Sequence, residues 1–146
     1  MLRLTKRYRF SASHRLHSDQ LSEQENKRLF GKCSNPFGHG HNYVLEVGVR
    51  GEADPLSGLL ASREALDRLV ERAVLRKVEH ADLNHDVPEF NGVVPTTENL
   101  TLLIHRWLER AWEEEFAPGK ARLARVRVEE TARNSFEVSD SYEFSA

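Results

Sequence analysis

The sequence holds one cysteine among its 146 residues. A single thiol excludes an internal disulfide, so nothing in the chain asks for an oxidising compartment. Also missing is any apolar run near the roughly 20 residues that cross a bilayer. The opening stretch, "MLRLTKRYRFS", has no apolar core of a secretion signal. These absences point to the cytoplasm and away from a membrane. Charge of one sign is lacking too. The 21 Lys and Arg nearly balance 23 Asp and Glu, for a formal net charge of −2, so no global pull toward nucleic acid is expected. Repeats, low-complexity segments and linkers are absent. What remains is an ordinary soluble composition, 39% hydrophobic and 30% charged, and one domain over residues 1–146 long enough to bury a core.

Periodicity places the elements. Leu2, Leu4, Tyr8, Phe10, Ala12 and His14 share one parity, with Lys6 the exception, which predicts a strand with one buried face. Ser22 followed by Glu25 is a capping-box pattern opening a short helix, and residues 31–38 read as a loop. Alternation resumes with His39, His41, Tyr43, Leu45, Val47 and Val49 as a second strand. Leu66, Leu69, Val70, Ala73 and Val74 recur at helical spacing between about Ser62 and Val78. "NHDVPEFNGVVP" is expected to be loop. A second long helix starts near Thr97, with Glu98 suited to its dipole and Leu100, Leu103, Ile104, Trp107 and Leu108 on its apolar stripe. Two further strands are expected, one with Ala124, Val126, Val128 and Glu130 in phase and one with Phe136, Val138, Tyr142 and Phe144. The order ββααββ predicts an α+β fold, a four-stranded antiparallel sheet with two helices on one face. Such a small sheet leaves edges that an oligomer would pair.

The chemistry gathers in "GKCSNPFGHGHNY", Gly31 to Tyr43. His39 and His41, two apart on a strand, send both rings to one side. His14 falls on the buried parity of the neighbouring strand, so three imidazoles can converge. Three neutral nitrogens form a zinc set that leaves a fourth position open for substrate or water. His17 is an alternative to His14, but it has the opposite parity. Cys33 has three readings: a fourth zinc ligand, a free thiol beside an open metal site, or a small buried hydrophobe. Its polar, turn-rich neighbours argue against the last.

Two further groups stand out. Glu79 precedes His80, a carboxylate that could orient an imidazole, against the plainer reading of a helix-end histidine. Glu130 continues the inward parity of Val126 and Val128, where a carboxylate needs partners; a ligand with two adjacent N–H groups would supply them. The plainer alternative leaves Glu130 in solvent with Glu129 inward.

These residues together resemble the 6-pyruvoyltetrahydropterin synthase family. The likeness is carried by "FSASHRL", "LFGKCSNPFGHGHNY", "EHADLN", "TTEN" and "EET", in that order along most of the chain. It implies the tunnelling fold, in which ββααββ subunits join their sheets into a barrel, usually a hexamer of two trimers with sites at the interfaces. It also implies zinc on His14, His39 and His41, and Cys33 as the catalytic thiol paired with His80 through the acidic Glu79. Glu130 is implied as the pterin anchor, with Thr97 and Glu98 in the same pocket. The implied reaction converts 7,8-dihydroneopterin triphosphate to 6-pyruvoyltetrahydropterin with loss of triphosphate.

The sequence departs from the family in two places. Glu79 stands where Asp is usual, and Ser62 stands where an Asp or Asn is common. Five residues, Ser34 to Gly38, separate Cys33 from His39. The related 6-carboxytetrahydropterin synthase of queuosine synthesis, which releases acetaldehyde, has a shorter spacing. That enzyme is the main rival. A zinc-stabilised, non-catalytic oligomeric binding module with Cys33 as fourth ligand is the rival of another class. Lys32, Arg9 and Arg15 lie near these motifs as candidates for the triphosphate, each equally readable as a surface charge.

Overall fold

The computed structural model describes residues 1–139. Strand β1 (Leu2–His14) alternates as its sequence predicts, from exposed Arg7 and Arg9 to buried Phe10, Ala12 and His14. Lys6 does face inward, where its ammonium is 2.8 Å from Asp67 of the first long helix; the Tyr8 hydroxyl donates to the same carboxylate at 2.7 Å. An apparent break in the pattern is therefore a polar tie between sheet and helix. Helix α1 (Glu23–Phe30) has the complete Ser22–Glu25 capping box, and a 3₁₀ turn, Gly31–Ser34, follows it.

Strand β2 (His39–Gly51) pairs antiparallel with β1 along its whole length, His14 opposite His39 and Ala12 opposite His41. Gly38 makes that entry possible. Its φ is +78°, and a Cβ there would stand 3.1 Å from the His14 carbonyl oxygen, so a side chain is both strained and crowded.

Helix α2 (Arg63–Val70), capped by Ser62, runs through a π turn (Glu71–Leu75) into α3 (Arg76–Val78). In an unbroken α-helix the apolar stripe begun at Leu66 would return at Lys77. The extra residue of the π turn gives that inward place to Val78, which is fully buried while Lys77 is exposed. Strand β3 (Ala81–Asp82) then pairs parallel with β1, and α4 (Leu83–Asp86) and a 3₁₀ turn, Pro88–Phe90, fill much of the stretch expected to be loop.

Helix α5 (Thr97–Ala111), capped by Thr96, buries the stripe read from its sequence. Strands β4 (Arg122–Thr131) and β5 (Asn134–Ser139) complete one sheet of order β3-β1-β2-β4-β5. Tyr142 and Phe144, expected in the last strand, lie outside the described residues. The α+β class and the ββααββ core agree with expectation. The sheet has five strands rather than four, because two residues of the "EHADLN" segment add an edge too short to show periodicity. The core lies between the inward sheet face and the helices, with Leu45, Val47, Leu66, Leu69, Ile104 and Leu108 fully buried.

Candidate functional site

The register between β1 and β2 puts His14, His39 and His41 on the inward face at one end of the sheet. The rings of His14 and His41 meet edge-on with centroids 5.0 Å apart, and those of His39 and His41 at 4.7 Å. The His14 Nδ1 atom is 2.8 Å from the Pro95 carbonyl oxygen. A carbonyl only accepts, so Nδ1 carries the proton and Nε2 keeps a free lone pair. That Nε2 is buried and has no partner, and the same is true of Nε2 of His41. Two orphaned, buried imidazole nitrogens side by side are what a metal ion would satisfy. Burial lowers the pKa of both rings, which keeps them neutral and competent as ligands.

Cys33 reaches this group from the 3₁₀ turn after α1. One ligand atom each from His14, Cys33 and His41 lie within 4.8 Å of one another. His39, expected in the set, is more exposed and lies beside these three rather than among them. Burial, and secondly the negative charge of Glu130, push the Cys33 thiol up from its ordinary value. The protein's own groups therefore favour the thiol, and a bound divalent cation would oppose them.

Glu130 faces this cluster from β4. Thr97, buried in the first turn of α5, donates its hydroxyl to the Glu130 carboxylate. Glu129 takes the other face, 3.9 Å from Arg127, so the inward carboxylate is Glu130. Tyr43 closes the floor. It stacks on Phe10 with centroids 4.9 Å apart, and its hydroxyl stands 3.5 Å from His14 Nδ1. Burial, then Glu130, keep Tyr43 protonated far above neutral pH. Glu98 is exposed and has no hydrogen bond or ion pair among the described residues.

Glu79 and His80 lie elsewhere. Ala81 is buried opposite Ala12, so His80, one residue earlier, faces outward. The clefts beside it are lined by Ser11, Gly40 and Asn42 and by Lys77 and Pro88, without Cys33. His80 has φ of +58°, unusual for a residue with a side chain, and its N–H donates to Ser11 O at 2.6 Å. Glu79 accepts from the Ser11 N–H at 3.2 Å and lies 3.4 Å from His80 Nε2. The longer Glu side chain thus still reaches its histidine, and it caps the edge of β1 as well. One chain does not bring His80 to Cys33.

The sequence reading missed Pro95, Tyr43 and Asn84. Tyr43 had a signal, its inward parity two residues past His41. Asn84, whose side-chain amide bonds the Arg15 main chain, had one as the last residue of "EHADLN", although no role was read from it; Pro95 acts through its main chain and had none.

Against known proteins, the family model described as 6-pyruvoyl tetrahydropterin synthase matches residues 3–141. The chain belongs to this family. A 6-pyruvoyl tetrahydrobiopterin synthase of Poecilia reticulata is 42% identical over 132 residues, 90% of this chain and 85% of that protein. The structure of the Caenorhabditis elegans 6-pyruvoyl tetrahydropterin synthase superposes with a TM-score of 0.83 at 39% identity, covering 96% of each chain. A 6-carboxy-5,6,7,8-tetrahydropterin synthase of Aquifex aeolicus is 27% identical over 164 residues, 94% of this chain and 97% of that one. The 6-pyruvoyl tetrahydropterin synthase family thus supplies both the fold and the frame for the inward cluster.

Proposed function

We propose that this protein is a carbon–oxygen lyase that converts 7,8-dihydroneopterin triphosphate to 6-pyruvoyltetrahydropterin with elimination of triphosphate, in the synthesis of tetrahydrobiopterin. The observation that carries the reading is one cluster holding a metal-ready histidine pair, a thiol and an anchored carboxylate, in a member of this family. The higher identity to a pyruvoyl-forming relative than to the carboxy-forming one supports the pyruvoyl product.

The donor set suits zinc, with His14 and His41 as ligands and His39 as the third imidazole. Zinc, when bound, supplies Lewis acidity that weakens the O–H and neighbouring C–H bonds of the substrate side chain. The chain's own residues do the rest. Glu130, fixed by Thr97, accepts two N–H groups of the pterin's amino-pyrimidinone edge and so sets the distance from ring to side chain. Glu98, at the start of the same helix, faces the solvent side of that pocket. Cys33 takes and returns protons between side-chain carbons. His80, oriented by Glu79, exchanges protons with Cys33 across a subunit interface, since the two do not meet within a chain. A contact between chains calls for a homo-oligomer, and the family resemblance supports a hexamer of two trimers with the sheets closed into a barrel; the reading places it in the cytoplasm.

A product assay tests the reading. Zinc-loaded protein incubated with 7,8-dihydroneopterin triphosphate should yield triphosphate and 6-pyruvoyltetrahydropterin without acetaldehyde. Acetaldehyde with a 6-carboxy pterin would move the protein to the queuosine branch. Full activity in Cys33→Ala would remove the thiol from the mechanism. Metal loss and unfolding in that variant would favour the zinc-stabilised binding module.

A further inference from the structure

The parallel edge strand β3 ends after two residues, yet its ladder continues. Ser13 pairs with Asp82, and the chain then turns into α4, which takes the next main-chain groups away from β1. The side-chain amide of Asn84 fills the vacated rung. Its Oδ1 accepts the Arg15 N–H at 2.7 Å, and its Nδ2 donates to the Arg15 carbonyl at 2.9 Å. One amide thus supplies both an acceptor and a donor to one residue, as a neighbouring peptide would.

The residue held this way links two parts of the site. Arg15 follows His14 directly. Its guanidinium Nε donates to the Ser34 carbonyl at 3.3 Å, and the next N–H, from Leu16, donates to the Cys33 carbonyl at 2.6 Å. The turn carrying the thiol is therefore hung from the end of β1 by two bonds. Asn84 pins the main chain at Arg15, just past the last β2 pair at His14.

We propose that Asn84 is a positioning residue that fixes where the Cys33 thiol stands relative to His14, through the main chain of Arg15 and Leu16. The proposal rests on Cys33 serving in proton transfer, as argued above. The role needs an amide's paired acceptor and donor. Aspartate keeps the acceptor but offers a second acceptor to the Arg15 carbonyl, and alanine offers neither group. A misplacement of about 1 Å costs catalysis on the order of a hundredfold where reacting groups must be aligned.

The test compares Asn84→Ala and Asn84→Asp with the parent as zinc-loaded full-length protein. Three quantities are measured: bound zinc, kcat and KM for 7,8-dihydroneopterin triphosphate, and the rate of Cys33 alkylation by iodoacetamide at one pH. The expected result is a fall in kcat of about tenfold or more with KM and zinc content near the parent values, and a changed alkylation rate. The aspartate variant, close in shape to the parent, gives the same readouts if the alanine variant fails to fold. Unchanged kcat and alkylation would overturn the proposal. So would a fall in kcat matched by loss of zinc, which would make Asn84 a support of the histidines instead. If Cys33→Ala retains full activity, the role of the thiol fails, while the alkylation rate still reports whether Asn84 places it.

Discussion

Glu130→Gln changes one oxygen to an amide and leaves the shape of the side chain alone. In the parent, the Thr97 hydroxyl donates to one carboxylate oxygen and holds the group in one orientation. Glutamine can accept from Thr97 only through its single carbonyl oxygen. That contact turns the NH₂ toward the ligand, where a donor would meet the donors of the pterin edge. The change removes one charge-assisted hydrogen bond, worth roughly 1.5–3 kcal/mol, and weakens its neighbour. The expected loss is about 2–4 kcal/mol, or roughly 30- to 700-fold in affinity and in kcat/KM. Calorimetric titration with 7,8-dihydroneopterin and steady-state kinetics with the triphosphate would measure it. An analogue whose 2-amino group is replaced by oxygen supplies the control: it should bind the parent weakly and gain or keep affinity in the variant. A loss under about threefold, or an equal loss for the analogue, would refute the assignment of Glu130 as the anchor. The same substitution has a consequence for titration. Burial is the larger cause of the raised Cys33 pKa and Glu130 the second. In the zinc-free variant the alkylation midpoint should move down in pH yet stay above that of an ordinary thiol.

Chelation of zinc should abolish turnover while far-ultraviolet circular dichroism keeps its helical signal, because the apolar core meets the histidines at Tyr43 but extends well beyond them, through Leu45 and Val47 to Leu66, Ile104 and Leu108; collapse of that signal would contradict this. Gly38→Ala should destabilise the protein by about 1 kcal/mol or more, read as a lower urea midpoint, with zinc affinity falling too because the turn leads directly into His39. Asp67→Asn tests the polar tie between β1 and α2. Burial would raise the Asp67 pKa, but the hydrogen bonds from Lys6 and Tyr8 outweigh it and hold the pKa below the ordinary carboxylate value. A depressed pKa stabilises the fold above the unfolded-state value and loses that contribution as pH falls through the folded one. The parent should therefore lose more thermal stability than the variant between pH 7 and pH 3.

The inward faces of β1 and β2 were legible because alternation is a local property, and the registration of His14 with the His39–His41 pair followed from it. Glu130 was legible for the same reason, by its phase with Val126 and Val128. Local pattern has no access to the sum of a helix and its neighbours, so the π turn and the two-residue β3 left no trace. The pairing expected between Cys33 and His80 shows the limit most clearly. The motifs identify both residues, but a strand's outward and inward faces separate them within a chain. Likewise the proton on His14 is set by a carbonyl 81 positions away, and no spacing rule encodes that.

The π turn before α3 has a consequence for chain length. Each residue of an α-helix advances the chain about 100° around the axis. Regularising the Glu71–Leu75 turn to α-helical hydrogen bonding with the residue count unchanged would by propensity alone look harmless. It would also rotate the exit of the helix by that angle, turning a lysine into the core and swinging the Glu79–His80 pair off the edge of β1. The direction in which His80 points thus depends on the π turn taking up one extra residue upstream. Removal of one residue within the turn would instead be absorbed by the return to α-helix and leave Val78 inward, so the two changes, alike in local hydrogen bonding, have opposite effects on the Glu79–His80 pair.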